Sequence, residues 1–196
     1  PLHYSIDGLN GKNLQEMTAG IEKIENVDIV IPRIKFGAMV SREDEMVTMT
    51  GWGVNPDRET EFTNIEDYLV EGKMVSEGRM EILMGSGLLD KIDRDVGDKV
   101  TILFNTSFNS LKGATFTIVG SVKSGIKKLN EFVFYLPMSQ AQRLLYMDNQ
   151  VSELLLKLDD RNMVGKVLPS VREFIADNDS TGRYSVLSYK ETSALV

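Results

Sequence analysis

Cysteine is absent from this 196-residue sequence, and histidine occurs once, as His3. The lack of cysteine excludes disulfide bonds, thiolate nucleophiles and cysteine-ligated zinc or iron–sulfur sites. The single histidine argues against a Ser-His-Asp triad, because it lies at the chain end, where side chains are seldom held in a fixed geometry. We therefore expect no catalysis of either kind.

Long hydrophobic runs and nucleotide-binding motifs are also missing. No stretch of 18 apolar residues is present, so this sequence is not expected to cross a membrane. The glycines of Gly51-Trp52-Gly53 are followed by neither a GxGxxG nor a GK[ST] pattern, and a strand end is expected there. Pro1 replaces an initiating methionine and no signal-peptide pattern follows, which predicts a fragment of a longer chain.

Positive charge is in short supply. The formal net charge is −7, which argues against nucleic acid as the main partner, because phosphate binding needs a basic surface. With 29 acidic residues, some carboxylate pairs arise by chance, so a glycosidase-like acid pair is a weak hypothesis. Glu153 alone lies beside an apolar run, and we expect it to face solvent. The sequence predicts no catalytic, cofactor-binding or metal-binding residue, no cofactor, and no enzyme activity.

The most structured stretch of the sequence is EILMGSGLLDKIDRDVGDKV, residues 81–100. A short apolar run predicts a buried strand, and the glycines after it precede a short helix with Leu88, Leu89 and Ile92 on one face. Asp95-Val96-Gly97-Asp98 has the composition of a tight turn, with Gly97 at a positive φ. The stretch therefore predicts a strand–helix–turn–strand corner with no chemistry of its own.

The two ends of the sequence differ from its middle. Helical spacing and alternating apolar residues at the ends predict a helix with a strand hairpin that returns over Glu45–Val54. They also predict a strand–helix–strand unit in which Asp160 caps the helix and Arg183–Ser188 is the last strand. The middle is a series of short strands with small helices, and we expect residues 57–64 to be a solvated acidic loop. The sequence therefore predicts an α+β fold in which residues 1–54 and 138–196 form a split βαβ subdomain, and residues 55–137 form an inserted β-rich subdomain.

The ordered set of segments GWGVNPDRE, EGK, EILMGSGLLDKIDRDVGDKVTI, TFTIVGSVKSGI, FVFYLPMSQAQRLL and SELLLKLDD resembles the MacB-like periplasmic core domain. This domain lies between the first two transmembrane helices of FtsX-like ABC transporter permeases, which include lipoprotein-release permeases and macrolide or peptide exporters. The resemblance implies that the split subdomain is porter-like and the inserted one sabre-like.

The resemblance also implies a function. The domain would be the extracytoplasmic part of an inner or cell-membrane permease that couples ATP hydrolysis in the cytoplasm to substrate movement outside the membrane by mechanotransmission. Its implied partners are an ABC ATP-binding subunit, a second permease copy and a periplasmic or outer-membrane protein. If the subdomains move as rigid bodies, their connections near Val54–Pro56 and Pro137–Ser139 are the expected hinges.

Two alternatives remain within the resemblance. Lipoprotein-release members carry a protruding hook, and residues 158–183 predict only helix and turn, which weighs against that subclass. An FtsX-like regulatory scaffold, which controls an extracellular enzyme and transports nothing, would share the same fold. The sequence does not separate a transporter from a scaffold.

Overall fold

The computed structural model describes residues 8–9, 12–42, 45–179 and 182–193, so His3 lies outside the described residues. The strands in this part of the chain are β1 (Gly8–Leu9), β2 (Lys12–Asn13), β3 (Val27–Arg42), β4 (Glu45–Val54), β5 (Leu69–Gly72), β6 (Glu81–Gly85), β7 (Lys99–Asn105), β8 (Leu111–Val122), β9 (Val133–Pro137) and β10 (Glu153–Leu158). The helices are α1 (Leu14–Ile21), α2 (Pro56–Thr63), α3 (Ser86–Ile92), α4 (Lys127–Phe132), α5 (Met138–Leu145), α6 (Val164–Asn178) and α7 (Tyr189–Ser193). Ile65–Tyr68 and Arg161–Met163 are short 3₁₀ helices.

The chain divides into two compact units. Of the described residues, 32–153 form the larger unit, and those before residue 32 and after residue 153 form the smaller one. A unit made from both chain ends around an inserted, strand-rich unit agrees with the predicted α+β class. The observed larger unit begins 23 residues before residue 55 and ends 16 residues after residue 137, because 55 − 32 = 23 and 153 − 137 = 16.

Six strands of the larger unit form a closed circuit of hydrogen-bonded neighbours. β3 pairs with β4, β4 with β9, β9 with β6, β6 with β8, β8 with β7, and β7 again with β3. The hairpin of β3 and β4 thus belongs to the β-rich unit. The β4–β9 ladder continues to Val54, which pairs with Pro137, so a hinge at these residues would have to break that pairing.

The interior of the circuit is filled by aromatic and aliphatic side chains. Phe36 meets Phe104 and Phe134 edge to face, with ring centroids 6.2 and 5.9 Å apart. Such pairs contribute about 0.5–1.5 kcal/mol each beyond their buried area. The side chains around them leave no space for a water molecule; they are Ile102, Phe116, Leu136, Ala141, Leu144 and Leu145. α5 contributes the last three of these and so packs against the circuit.

The two glycines of the Gly51-Trp52-Gly53 motif make this packing possible. A Cβ atom on Gly51 would collide with the rings of Phe36 and Phe134, and one on Gly53 would collide with Ala141 of α5. Because side chains alternate along a strand, Trp52 points to the opposite face of β4. The motif therefore serves close packing, in agreement with its prediction as a strand end.

The corner predicted over residues 81–100 is confirmed as β6, α3 and β7. A Cβ atom on Gly85 would collide with the backbone of Asn130, so the first glycine of the motif lets α4 approach β6 closely. Gly97 has the expected positive φ, 103°, and the Asp98 carboxylate accepts a hydrogen bond from the Asp95 backbone N–H at 3.0 Å. Each turn residue has its predicted conformational role.

Residues 57–64, which we expected to be a solvated acidic loop, instead form helix α2. The Asn55 side chain accepts a hydrogen bond from the Arg58 backbone N–H at 3.1 Å, and Pro56 occupies the first helical turn. An asparagine cap followed by proline is a strong helix start, because proline has no N–H to leave unpaired and its φ suits a helix. The charged composition obscured this signal.

The smaller unit has a core of its own. Met17 and Ile21 of α1 pack in one cluster with Val171 and Ile175 of α6. The N-terminal end of β3 and the strand β10, its neighbour in the sheet, supply Val27 and partly buried leucines. Asp160 caps the Arg161–Met163 turn as predicted, accepting from the Asn162 N–H at 2.8 Å. Residues 161–178 are therefore helical.

The last strand predicted for the chain, Arg183–Ser188, is not a strand. Tyr184 and Val186 still pack against the core of the smaller unit, as their apolar character suggests. The Val186 carbonyl, however, accepts hydrogen bonds from the Arg172 side chain instead of from a neighbouring strand. An arginine thus takes the place of a backbone ladder.

Candidate interaction surface

Catalytic and metal chemistry find little support in the geometry. Among the described residues, no group of three or more histidine, aspartate or glutamate side chains is placed to hold a metal ion. Glu153 lies at the start of β10 and is partly exposed, as expected. Lys123, Lys127 and Lys128 lie close together in the sequence, and Lys127 makes an ion pair with Glu131 at 3.4 Å. None of these residues forms a convergent site.

An exposed apolar surface lies at the turn between β7 and β8. Phe108, Leu111 and Tyr146 are 76%, 60% and 53% exposed, and we call these three residues the aromatic tip. The Phe108 and Tyr146 rings lie 5.8 Å apart, centroid to centroid. Large side chains exposed to this degree and in contact with each other commonly mark interaction sites.

Hydrogen bonds hold the aromatic tip in place. The Ser107 backbone N–H donates to the Leu145 carbonyl at 2.9 Å, and the Ser107 hydroxyl donates to the Tyr146 carbonyl at 3.1 Å. Tyr146 ends α5 in the left-handed conformation, with φ 56°. The turn and the end of α5 are therefore joined, and the two aromatic rings are presented by one preformed support.

The aromatic tip can bury apolar area against a partner. Preformed aromatic side chains are effective in this role, because little conformational entropy remains to be lost on binding. The sequence analysis missed this surface. The one available signal is Phe108 itself, an isolated aromatic residue in the polar run Thr106 to Ser110, where a core role is improbable.

A second notable group of side chains is buried. The Arg33 guanidinium makes two hydrogen bonds to the Glu59 carboxylate, one of them from Nε to Oε2 at 2.9 Å, and both residues are at least 95% buried. Arg33 also lies over the Trp52 ring, 4.5 Å from its centroid, and Trp52 meets Tyr135 edge to face at 5.3 Å. We call Arg33, Trp52, Glu59 and Tyr135 the Arg33 cluster.

The Arg33 cluster links α2 to the closed circuit of strands, because its members come from β3, β4, α2 and β9. Burial raises the pKa of Tyr135 to about 12; the nearby Glu59 carboxylate acts in the same direction and Arg33 acts against both. The phenol is therefore neutral at all physiological pH values. The buried Arg33–Glu59 pair is mutually satisfied and supports a rigid structure, whereas the buried Trp52 Nε1–H finds no hydrogen-bond partner among the described residues.

A family model described as the MacB-like periplasmic core domain matches residues 5–174. The chain belongs to this family. Domains of the family form the extracytoplasmic part of ABC transporter permeases, so the chain is a periplasmic-type domain of that transporter class. In the part of the chain that the structure describes, no helix is long and apolar enough to span a bilayer.

Two curated relatives are named as transmembrane proteins of a lipoprotein-releasing system. The lipoprotein-releasing system transmembrane protein LolC of Neisseria meningitidis serogroup B is 26% identical over 156 residues, which are 76% of this chain and 37% of the relative. The corresponding LolE protein of Haemophilus influenzae is 26% identical over 154 residues, 74% of this chain and 36% of the relative. The chain spans little more than a third of the length of these two relatives.

Two solved structures share the fold. The extracellular domain of the noncanonic ABC-type transporter YknZ from Gram-positive bacteria superposes with a TM-score of 0.58 at 12% identity, covering 83% of this chain and 82% of that one. The periplasmic region of MacB from Actinobacillus actinomycetemcomitans gives a TM-score of 0.56 at 14% identity, covering 88% and 75%. At this level of identity, the likeness concerns the fold alone.

Proposed function

We propose that this domain couples ATP hydrolysis in the cytoplasm to the movement of a substrate outside the membrane, as the extracytoplasmic part of an ABC transporter permease. The domain itself would carry out no catalysis and would act by mechanotransmission. Its partners would be an ABC ATP-binding subunit, reached through the parent permease, a second permease copy, and a periplasmic or outer-membrane protein. The substrate class would be an exported molecule, an effluxed drug or a released lipoprotein.

The observation that carries this proposal is membership of the permease family combined with a closed, water-free strand circuit. A closed circuit pairs every one of its strands on both sides, and dense packing has low compressibility. A displacement applied to such a body is passed on with little internal deformation. The names of the two curated relatives support lipoprotein release, whereas the helical residues 161–178 leave little length for a hook there.

The experiment uses the lack of cysteine. Cysteine pairs, with one residue in each compact unit, are introduced into the full-length permease and screened for disulfide formation, so any cross-link within this chain is engineered. The permease is reconstituted with its ATP-binding subunit in vesicles. We expect cross-linking to abolish substrate movement and reduction to restore it, while each single-cysteine variant stays active. Full transport in a completely cross-linked permease would contradict the proposal.

The regulatory scaffold is a second candidate, and the aromatic tip is the observation that supports it. A preformed apolar surface suits the retention of an extracellular enzyme as well as it suits a transport partner. The Phe108→Ala/Tyr146→Ala variant distinguishes the two functions, since neither side chain belongs to the core. Under the scaffold hypothesis, it should lower the activity of the associated enzyme while no substrate moves even in the wild type.

A further inference from the structure

Arg172 joins three segments of the smaller unit. It lies on α6, next to Val171, which is buried in the core of that unit. Its Nε and Nη2 atoms donate to the Val186 carbonyl at 3.1 and 3.0 Å. Nη2 also donates to Oε1 of Glu191, on α7, at 3.0 Å. One guanidinium therefore connects α6, the extended residues 182–188 and α7.

Glu191 is held from a second direction. Its Oε2 atom accepts a hydrogen bond from the Ser188 backbone N–H at 2.7 Å, and its own N–H donates to the Ser188 hydroxyl at 3.3 Å. This is a reciprocal capping box at the start of α7. The Ser188 hydrogen bonds, followed by the contact with Arg172, lower the pKa of Glu191 to about 2. The carboxylate is therefore charged at neutral pH and available to the guanidinium.

An ordinary surface ion pair would have a different anatomy. Lys166 and Glu25 form such a pair in the same unit, with Lys166 also on α6 and its Nζ 3.4 Å from Oε1 of Glu25. That pair consists of a single contact between two exposed side chains, and pairs of this kind contribute little. Arg172 differs because its fork satisfies a backbone carbonyl and a capping carboxylate together, which a lysine ammonium cannot match geometrically.

We propose that Arg172 is a positioning residue that fixes α7 to α6, so that a displacement of α7 reaches the core of the smaller unit. The inference deepens the proposed coupling function and depends on it for its physiological meaning. Glu191 transmits the load, and Arg172 receives it on a helix whose buried face, Val171 and Ile175, belongs to the core. Without the contact between Arg172 and Glu191, α7 would be attached only through residues 182–188, whose Tyr184 and Val186 pack against the core.

The first test is amide hydrogen exchange on the 196-residue chain. Because hydrogen bonds to charged groups are stronger than neutral ones, we expect Arg172→Ala to speed exchange at Ser188 and Thr192 about tenfold. In Arg172→Lys, the logarithm of the exchange rate should return less than half of the way from the Arg172→Ala value to the wild-type value. The matched control, Lys166→Ala, should stay within about twofold of the wild type, as expected for an exposed pair. Exchange in β9 should be unaltered in all three variants, which verifies that the chain is folded.

The second test measures substrate moved per ATP hydrolysed in the reconstituted full-length permease. Arg172→Ala should lower this ratio severalfold with ATP hydrolysis retained, and Lys166→Ala should leave it unchanged. Hydrogen exchange at the wild-type rate in Arg172→Ala would show that Arg172 does not fix α7 to α6. Faster exchange with an unaltered ratio would overturn its role in coupling. A wild-type permease that moves no substrate would refute the proposed function, and the exchange experiment would still decide whether Arg172 fixes α7 to α6.

Discussion

Among the described residues, two arginine–glutamate pairs have opposite surroundings. Arg33–Glu59 is buried beneath α2 in the larger unit, whereas Arg172 and Glu191 are each nearly half exposed in the smaller unit. The buried pair has lost its hydration and depends entirely on mutual satisfaction; the exposed pair keeps water as an alternative partner. The comparison shows that an arginine–glutamate pair can stabilise the core of one unit and attach a surface helix, α7, in the other.

Removal of one buried partner should give the largest effect. Glu59→Ala leaves the Arg33 guanidinium buried without a counter-charge, and we expect a loss of about 3–5 kcal/mol in the free energy of unfolding. Urea denaturation followed by Trp52 fluorescence measures this loss directly, because Trp52 contacts Arg33. Glu61→Ala, on the exposed side of the same helix, is the control and should change stability only slightly. A loss below 1 kcal/mol for Glu59→Ala would show that water reaches the pair.

High pH should affect the larger unit next. The folded-state pKa of Tyr135 is about 12, above the ordinary value of 10.0, so the neutral phenol is favoured in the fold. Its contribution is fully present below pH 10 and is lost as the pH rises towards 12, by about 2–3 kcal/mol in total at 1.36 kcal/mol per pKa unit. In denaturation experiments, the free energy of unfolding of Tyr135→Phe should not show this part of the decrease at high pH. An identical alkaline profile for both proteins would contradict the prediction.

Replacement of both buried partners should cost much less than removal of one. Arg33→Met/Glu59→Leu exchanges the ion pair for apolar side chains of similar size, and such replacements are often close to neutral. We expect the double variant to lie within about 2 kcal/mol of the wild type and above Glu59→Ala in the same urea assay. A double variant less stable than Glu59→Ala would mean that the stacking of Arg33 on Trp52 outweighs the charge pairing.

Acid should release the exposed pair, with the smallest effect. The folded-state pKa of Glu191, about 2, is below its ordinary value of 4.5, so the stabilisation is present above pH 4.5 and is lost as the pH falls towards 2. Hydrogen exchange at Thr192 should therefore accelerate over this range relative to Thr192 in Glu191→Gln. If both proteins show the same pH dependence after correction for intrinsic exchange, Glu191 does not hold α7.

Local signals in the sequence sufficed for much of this architecture. Alternation predicted β4 over its full length, and the turn at Gly97 followed from composition alone. Helical spacing and alternation predicted the split between the chain ends and the middle, and the α+β fold class is confirmed. Helix α2 shows where composition misled, because three acidic residues outweighed the Asn55-Pro56 cap.

Long-range pairing was beyond prediction. The contact of β3 with β7 joins Ala38 to Phe104, and no property of either segment specifies the other as its partner. For this reason, the predicted boundaries of the two units differ from the observed ones. The β3–β4 hairpin is assigned to a unit only by the strands with which it pairs. The aromatic tip escaped notice because exposure is a tertiary property. The residues next to Phe108 in the sequence do not show that Tyr146 lies beside it in the fold.

Closure of the strand circuit through β3 and β7 has a consequence for synthesis of the chain. Ala38 leaves the ribosome 66 residues before its partner Phe104, since 104 − 38 = 66. At a translation rate of about 5–20 residues per second, β3 waits roughly 3–13 seconds for β7. During that interval β3 and β4 can pair only with each other, so their outer edges stay open to other chains. Nascent-chain handling, and not the finished fold, is the stage at which this domain is most exposed to aggregation.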